Sequence, residues 1–141
     1  MANIQSNGIY ALKNVEADSY LDLSGSDRHS IIGWSKHDGA NQQWQFIHQG
    51  YGNFQIKSVA DGQYLGIDGP PANGVRVVAV STPFMWTIQR DPVHSQAIRL
   101  YVPGTDLNME LSDQGNPTPG THVQLWSTFY GHHQIWRFRR V

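Results

Sequence analysis

The 141-residue sequence lacks cysteine, long apolar runs and usable glycosylation sequons. Without cysteine the chain forms neither disulfides nor thiolate metal sites. No stretch approaches the ~20 apolar residues of a membrane span, and the first residues show neither the basic start nor the apolar run of a signal peptide. The one near match to Asn-x-Ser/Thr, at residues 116–118, has proline in the middle position. We therefore expect a soluble, cytoplasmic protein that does not insert into membranes; secretion by an unconventional route stays open.

Charge is also scarce. Only 15% of the residues are charged, and the 10 basic and 11 acidic side chains give a formal net charge of −1. Such a chain produces too weak a field to attract nucleic acid or anionic lipid. The one basic cluster, Arg137, Arg139 and Arg140, surrounds the apolar Phe138. This alternation is typical of a strand with a solvated face, so nucleic acid is not an expected partner.

The seven histidines do not indicate a metal site. They are scattered without the i, i+4 spacing of a helical ligand pair, and the adjacent His132 and His133 are predicted to point to opposite faces of a strand. We expect no metal ion and no other cofactor.

Aromatic residues and an internal repeat are the features in which the sequence is rich. A Gln-x-Trp motif occupies residues 42–44 and 134–136, and residues 84–86 carry the same motif with Phe in place of Gln. Upstream segments align without gaps at offsets of 44 and 88 residues, namely 10–15 with 54–59 and 98–103, and 21–23 with 65–67 and 109–111. Three copies of one unit, about 8–48, 52–91 and 96–141, therefore fill a single domain, 1–141.

The alternation of apolar and polar residues predicts strands, and clusters of Gly, Pro, Asp and Asn separate them. No segment of helical length has apolar residues at the i, i+3, i+4, i+7 spacing of an amphipathic helix. Four short strands per unit make twelve, and three-fold closure would protect their edges. We predict an all-β fold, a β-trefoil with a six-stranded barrel capped by three hairpins. Trp44, Trp86 and Trp136 should pack its core, and the motif glutamines should hydrogen-bond to backbone.

Three other positions of each unit are better candidates for a site: the residue before the first turn, the residue before the motif Gln, and the end of the third strand. Unit one has Asp22, Asn41 and Trp34 there, unit three has Glu110, His133 and Trp126, and unit two has Gly66, Pro83 and Val80. Alternation should turn the two Trp side chains outward. An outward aromatic ring can stack on the C–H face of a pyranose while a carboxylate and an amide bind its hydroxyls. The pattern predicts sugar sites in units one and three and none in unit two.

These segments resemble the ricin-B-like β-trefoil lectins, and among them the small single-domain lectins of mushrooms. The resemblance is carried by residues 21–25, 32–34, 41–44, 123–126 and 133–136. It implies a fungal protein that binds glycans or glycoconjugates without catalysis. Galactose or N-acetylgalactosamine is the commonest ligand of the family, and mannose is the alternative.

The resemblance also implies roles for individual residues. Asp22 would accept hydrogen bonds from sugar hydroxyls, Asn41 would donate one and Trp34 would stack, with Glu110, His133 and Trp126 in the same roles in unit three. The expected carbohydrate-binding residues are Asp22, Gly33, Trp34, His37, Asn41, Gln42, Glu110, Gln124, Trp126, Tyr130, His133 and Gln134.

Two other functions are compatible with a fold of this kind, an enzyme and an interaction protein. A glycosidase needs two carboxylates roughly 5–10 Å apart, whereas Asp22 and Glu110 belong to different units around a three-fold axis, so we expect no enzyme. An interaction protein, such as a protease inhibitor or an enzyme-associated subunit, could use the loop 113–120, which Pro117 and Pro119 stiffen. The sequence is compatible with a monomer or a homodimer.

Overall fold

Alternating apolar and polar residues form twelve β-strands within residues 4–141, the part of the chain that the computed structural model describes. In chain order the strands are β1 (Gly8–Asn14), β2 (Tyr20–Leu23), β3 (Ile31–Trp34), β4 (Trp44–Gly50), β5 (Asn53–Ser58), β6 (Tyr64–Ile67), β7 (Val77–Val80), β8 (Met85–Arg90), β9 (Ala97–Tyr101), β10 (Leu107–Leu111), β11 (Val123–Ser127) and β12 (Trp136–Arg140). Short helical turns lie at Ala40–Gln42, Ser112–Gly115 and His132–Gln134. Within the described residues, no helix has the length and apolar character needed to cross a membrane.

Six of the strands form a closed antiparallel barrel. The ring runs from β1 through β4, β5, β8, β9 and β12 and back to β1, so each barrel strand is paired on both sides. The remaining strands form three hairpins, β2–β3, β6–β7 and β10–β11. This arrangement confirms the predicted β-trefoil.

The three hairpins close on one another at one end of the barrel. Each hairpin pairs with the next in a cyclic order, through the bridges Ser30–Val78, Arg76–Gln124 and His122–Ile32. Equivalent backbone N–H groups, those of Gly33, Ala79 and Leu125, donate to the carbonyl oxygens of Thr121, His29 and Val75, each at 2.8 Å. The third strand of every repeat therefore lies against a loop of a neighbouring repeat.

The three motif tryptophans occupy equivalent places in the core. Trp44, Trp86 and Trp136 are buried. Their indole N–H groups donate to carbonyl oxygens that are 44 residues apart in the sequence, those of Leu21, Leu65 and Met109, at 3.0, 3.1 and 3.1 Å. Each tryptophan thereby ties the barrel to the second strand of its own repeat, which confirms the predicted core role.

Two local expectations had different outcomes. In β12, Trp136 is buried while Arg137 and Arg139 are exposed, as the alternation predicts. His132 and His133, in contrast, lie in a helical turn and not in a strand, so the predicted strand is wrong there. The turn rather than strand alternation buries His133 and leaves its neighbour exposed.

The loop 113–120 is bound to repeat one. Asp113 and Gln114 adopt left-handed backbone angles, with φ of 53° and 54°. At the other end of the loop, the N–H of Gly120 donates to the carbonyl oxygen of Gly33 at 2.9 Å.

Candidate functional site

Asp22 is the centre of the candidate site in repeat one. It lies in β2 and is only 3% exposed. Its Oδ1 accepts a hydrogen bond from Asn41 Nδ2 at 3.1 Å, and its Oδ2 accepts one from Gln42 Nε2 at 2.9 Å. His37 Nε2 lies 3.2 Å from the same Oδ2. Three side chains therefore hold this carboxylate in one orientation.

The loop between β3 and β4 brings these three side chains to Asp22. Asn41 Nδ2 also donates to the carbonyl oxygen of Leu23 at 3.1 Å, and Gln42 Nε2 to that of Ser35 at 2.8 Å. The backbone N–H of His37 donates to Gln42 Oε1 at 3.2 Å. Gln42 is buried beneath Asp22, so it orients the carboxylate and does not face the solvent.

Trp34 forms one wall of an open cleft of about 270 Å³ above Asp22. His37 and Asn41 also line the cleft, together with Ser24, Gly25, Ser26 and Ile32. The indole is 41% exposed, which confirms the predicted outward orientation. The cleft therefore presents an apolar ring beside a hydrogen-bond acceptor.

Gly33, which was expected at the site, faces the other way. A Cβ atom at this position would lie 2.9 Å from Leu111 Cδ1 and 3.1 Å from Ser19 Cβ. The strand alternation that turns Trp34 outward turns Gly33 inward. Gly33 allows repeat one to pack closely against repeat three, and it does not line the cleft.

Glu110 takes the place of Asp22 in repeat three. It lies in β10 and is 5% exposed. Its Oε1 accepts a hydrogen bond from Gln134 Nε2 at 3.0 Å and lies 3.3 Å from His133 Nε2. Its Oε2 accepts a hydrogen bond from Gln124 Nε2 at 2.8 Å. Trp126 lies two residues beyond Gln124, the residue paired with Glu110 across the hairpin, and is 38% exposed. Repeat three thus combines a fixed carboxylate with an outward indole on the neighbouring strand.

The two carboxyl groups differ in their protonation equilibria. Burial raises the pKa of Asp22, and its hydrogen bonds to Gln42, His37 and Asn41 only partly offset this effect. Burial also acts to raise the pKa of Glu110, but the hydrogen bonds from His133, Gln124 and Gln134 outweigh it, so that pKa is lowered. The surroundings of Glu110 thus favour the charged form.

Phe129 was missed by the sequence reasoning. It lies three residues after Trp126, as His37 lies three residues after Trp34. Its backbone N–H donates to Gln134 Oε1 at 3.1 Å, which matches the bond of His37 to Gln42. Tyr130, the residue predicted from the sequence, is 77% exposed and lines a neighbouring groove with His133. The equal spacing after the two tryptophans was the signal that could have identified Phe129.

Arg99 was also missed, and it supports the site from below. Its Nη1 donates to Gln134 Oε1 at 3.0 Å, and its Nη2 donates to the carbonyl oxygen of Phe129 at 3.2 Å. Its Nε lies 3.9 Å from Asp91 Oδ1. The equivalent residue of repeat one, 88 positions earlier, is Ala11. Only the comparison of aligned copies could have drawn attention to this replacement.

Repeat two keeps the frame and lacks the candidate site residues. Trp86 retains its bond to Leu65, but glycine, proline and valine stand where the other repeats have the site residues. A Cβ atom on Gly66 would lie 2.5 Å from Cγ2 of Val80. A carboxylate side chain at that position therefore requires Val80 to move. Residues 4–141 contain no cluster of three or more His, Cys, Asp or Glu side chains placed to hold a metal ion.

Comparisons with known proteins place this arrangement in a family. The family model described as "Ricin-type beta-trefoil lectin domain-like" matches residues 3–80 and 40–126. The chain belongs to this family.

Solved structures agree with this assignment. The ricin B-like lectin of Macrolepiota procera, solved in complex with lactose, is 46% identical, with 99% of this chain and 100% of that chain covered and a TM-score of 0.95. The Rhizoctonia solani agglutinin is 25% identical over the full length of both chains, with a TM-score of 0.87. The C-half of an earthworm R-type lectin, solved with GalNAc, shares the fold at 18% identity and a TM-score of 0.71, with 95% of this chain and 99% of that chain covered. A search of curated proteins gives no match.

Proposed function

We propose that this protein is a lectin that binds terminal galactose or N-acetylgalactosamine in two clefts, one in repeat one and one in repeat three. The observation that carries the proposal is the buried, oriented carboxylate beside an outward indole, which occurs in both repeats. The lactose complex of the Macrolepiota procera lectin, which is 46% identical, supports a β-galactoside as ligand.

Hydrogen bonding at Asp22 leaves room for a ligand. A carboxylate has about four acceptor positions, and Asn41, Gln42 and His37 use three of them. The remaining position can accept a sugar hydroxyl. Both N–H groups of Asn41 are engaged, by Asp22 and by the carbonyl oxygen of Leu23. Asn41 therefore offers its Oδ1 as an acceptor, and the donor role expected from the resemblance requires one of these bonds to be exchanged for a sugar hydroxyl.

The indole provides the apolar half of the site. Galactose has an axial 4-hydroxyl, so one of its faces is a continuous patch of C–H groups that Trp34 or Trp126 can cover. Stacking of this kind contributes about 0.5–1.5 kcal/mol beyond buried area, and a hydrogen bond to a charged acceptor about 1.5–3 kcal/mol. After the cost of association, a total near −4 to −5 kcal/mol is expected, which is a dissociation constant around the millimolar range.

Two weak sites in one chain can act together. Once one cleft holds a glycan on a surface, the second cleft meets neighbouring glycans at a high effective concentration. Neither cleft requires a metal ion or a chemical step, so we propose binding without catalysis.

A glycan array tests the proposal. We expect the intact protein to bind galactose-terminated glycans and the Asp22→Ala/Glu110→Ala variant to lose this signal. Asp68→Ala, which removes an exposed carboxylate of repeat two, is the matched control and should bind normally. If the signal is confined to mannose-terminated glycans, the protein is a lectin for mannose and not for galactose. If folded protein binds no glycan on the array, the lectin function is overturned and a protein partner becomes the better explanation.

A further inference from the structure

A groove of about 590 Å³ lies next to the candidate site of repeat three, which it meets at His133, and it reaches Glu16 of repeat one. It is lined by Glu16, Gln114, Phe129, Tyr130, His132 and His133, together with Gly131. We call it the repeat-three groove. Its volume lies in the range of about 300–1,000 Å³ that is common for ligand sites.

Repeat one has a three-fold equivalent of this groove, but a smaller one. That groove, of about 290 Å³, is lined by residues that include Arg28, Asn41, Ala60 and Asp61. Ala60 stands 44 positions after Glu16, and Asn41 stands before the motif Gln as His133 does. The two grooves therefore share aligned positions, and they differ in volume and in the side chains that line them.

His133 connects the repeat-three groove to the cleft. Its Nε2 lies 3.3 Å from Glu110 Oε1, and its ring also lines the groove. Gly115, with φ of +80°, lies between His133 and Glu16, because a Cβ atom there would be 2.9 Å from His133 Cβ and 2.8 Å from Glu16 Cγ. Glu16 of repeat one therefore lies near His133, on the surface next to Glu110.

The chemistry of the groove is suited to a second sugar ring. Tyr130 and Phe129 are exposed aromatic side chains that line it, and Phe129 stands at the position that His37 has in the repeat-one cleft. Within residues 4–141, the carboxylate of Glu16 makes no hydrogen bond or ion pair with another side chain, and it is exposed. An aromatic surface beside a free carboxylate offers stacking and hydroxyl recognition together. The negative charge of Glu16 opposes an acidic sugar, so a neutral one fits.

We propose that the repeat-three groove is an extension subsite that binds the second, neutral sugar of a β-galactosyl disaccharide whose terminal galactose occupies the repeat-three cleft. This inference rests on the proposed function. The repeat-one groove has no aromatic side chain among its lining residues. The two sites of one molecule therefore select different oligosaccharides: repeat three gains from the second sugar by stacking, and repeat one does not.

Site-resolved NMR titration of the full chain tests the proposal. The protein has five tryptophans, and the two exposed ones, Trp34 and Trp126, report separately on the two clefts. Their indole signals are assigned with Trp→Phe variants. Methyl β-galactoside, lactose and a β1,3-linked galactosyl disaccharide are then titrated into the wild type, Glu16→Gln, Tyr130→Ala and the repeat-one control Asp61→Ala.

We expect at least one disaccharide to bind about tenfold more tightly than methyl β-galactoside at Trp126, and not at Trp34. Glu16→Gln should remove most of this gain while methyl β-galactoside binding at Trp126 is unchanged. Tyr130→Ala should weaken the disaccharide by about two- to twelvefold, and Asp61→Ala should change nothing at Trp126.

The possible failures are distinguishable. If methyl β-galactoside binds at Trp126 but no disaccharide binds more tightly, or if Glu16→Gln and Tyr130→Ala both keep the gain, the extension subsite is refuted and the lectin function stands. If no sugar shifts either indole signal of folded protein, the proposed function itself fails and the subsite fails with it.

Discussion

Repeats one and three form the same arrangement of carboxylate and indole with different surrounding side chains. Each presents a buried carboxylate held by three partners beside an outward indole. In repeat one two of the partners, His37 and Asn41, come from the loop before the motif Gln, whereas in repeat three Gln124 donates from strand β11 itself. The trefoil frame thus determines where a carboxylate stands, and local residues determine how it is charged and oriented.

The two repeats also differ below the site. Repeat three places Arg99, paired with Asp91, under Gln134 and the carbonyl oxygen of Phe129. Repeat one has Ala11 at the equivalent position. Repeat three therefore depends on a polar network that repeat one does without, and this difference can be tested.

The largest effect is expected where the repeats are the same. Trp44→Ala and Trp136→Ala each remove a buried indole, and each should lower the free energy of unfolding by about 3–5 kcal/mol. Urea unfolding followed by circular dichroism measures this. Trp34→Ala is the control, since it removes an exposed ring and should cost repeat-one binding without unfolding the protein. If Trp34→Ala unfolds the chain and Trp44→Ala does not, the assignment of core and surface is reversed.

Asp22 and Glu110 allow the two sites to be tested separately. We expect Asp22→Ala to weaken sugar binding at Trp34 by about 10- to 150-fold, because it removes a charged acceptor, and to leave binding at Trp126 unchanged. Glu110→Ala should do the reverse. The indole titration described above measures both. Loss of both sites in either single variant would contradict two independent clefts.

Arg99→Ala tests the network that only repeat three has. It leaves Gln134 Oε1 and Asp91 with fewer partners, so we expect the free energy of unfolding to fall by about 1–3 kcal/mol and binding at Trp126 to weaken. Binding at Trp34 should be unaffected. Arg137→Ala, an exposed arginine of β12, is the control for charge. Normal binding at Trp126 in a folded but destabilised Arg99→Ala protein would show that Arg99 supports the fold alone.

The smallest effect concerns pH. The pKa of Glu110 is lowered by its hydrogen bonds, so its charged form stabilises the fold at neutral pH, and this contribution is lost as pH falls below about 4.5, the usual glutamate value. The pKa of Asp22 is raised by burial. Its contribution therefore has the opposite sign, and the stability it confers at low pH is lost as pH rises through its folded-state pKa.

Replacing each carboxyl group by its isosteric amide tests these opposite pH dependences. The stability gap between the wild type and Glu110→Gln should be wider at pH 7 than at pH 3, and the gap between the wild type and Asp22→Asn should be narrower at pH 7 than at pH 3. Urea unfolding at the two pH values gives both gaps. Gaps that change with pH in the same direction would contradict the assigned pKa directions.

The three-fold repeat could be predicted from the sequence because the features that produce it are local and periodic. Strand alternation, turn residues and the 44-residue spacing predicted the trefoil, the three core tryptophans and the outward Trp34 and Trp126. The same alignment located Asp22 and Glu110, since each lies between two buried residues of a second strand.

The tertiary structure alone decided how the sites are built. The buried position of Gln42 under Asp22, the inward face of Gly33 and the reach of Arg99 to Gln134 depend on contacts across strands, and alternation within one strand does not specify them. Glu16 meets the repeat-three groove from the other end of the chain, because closure of the barrel brings β1 against β12. The sequence determined the frame and which repeats keep a carboxylate, whereas closure of that frame determined which distant side chains surround it.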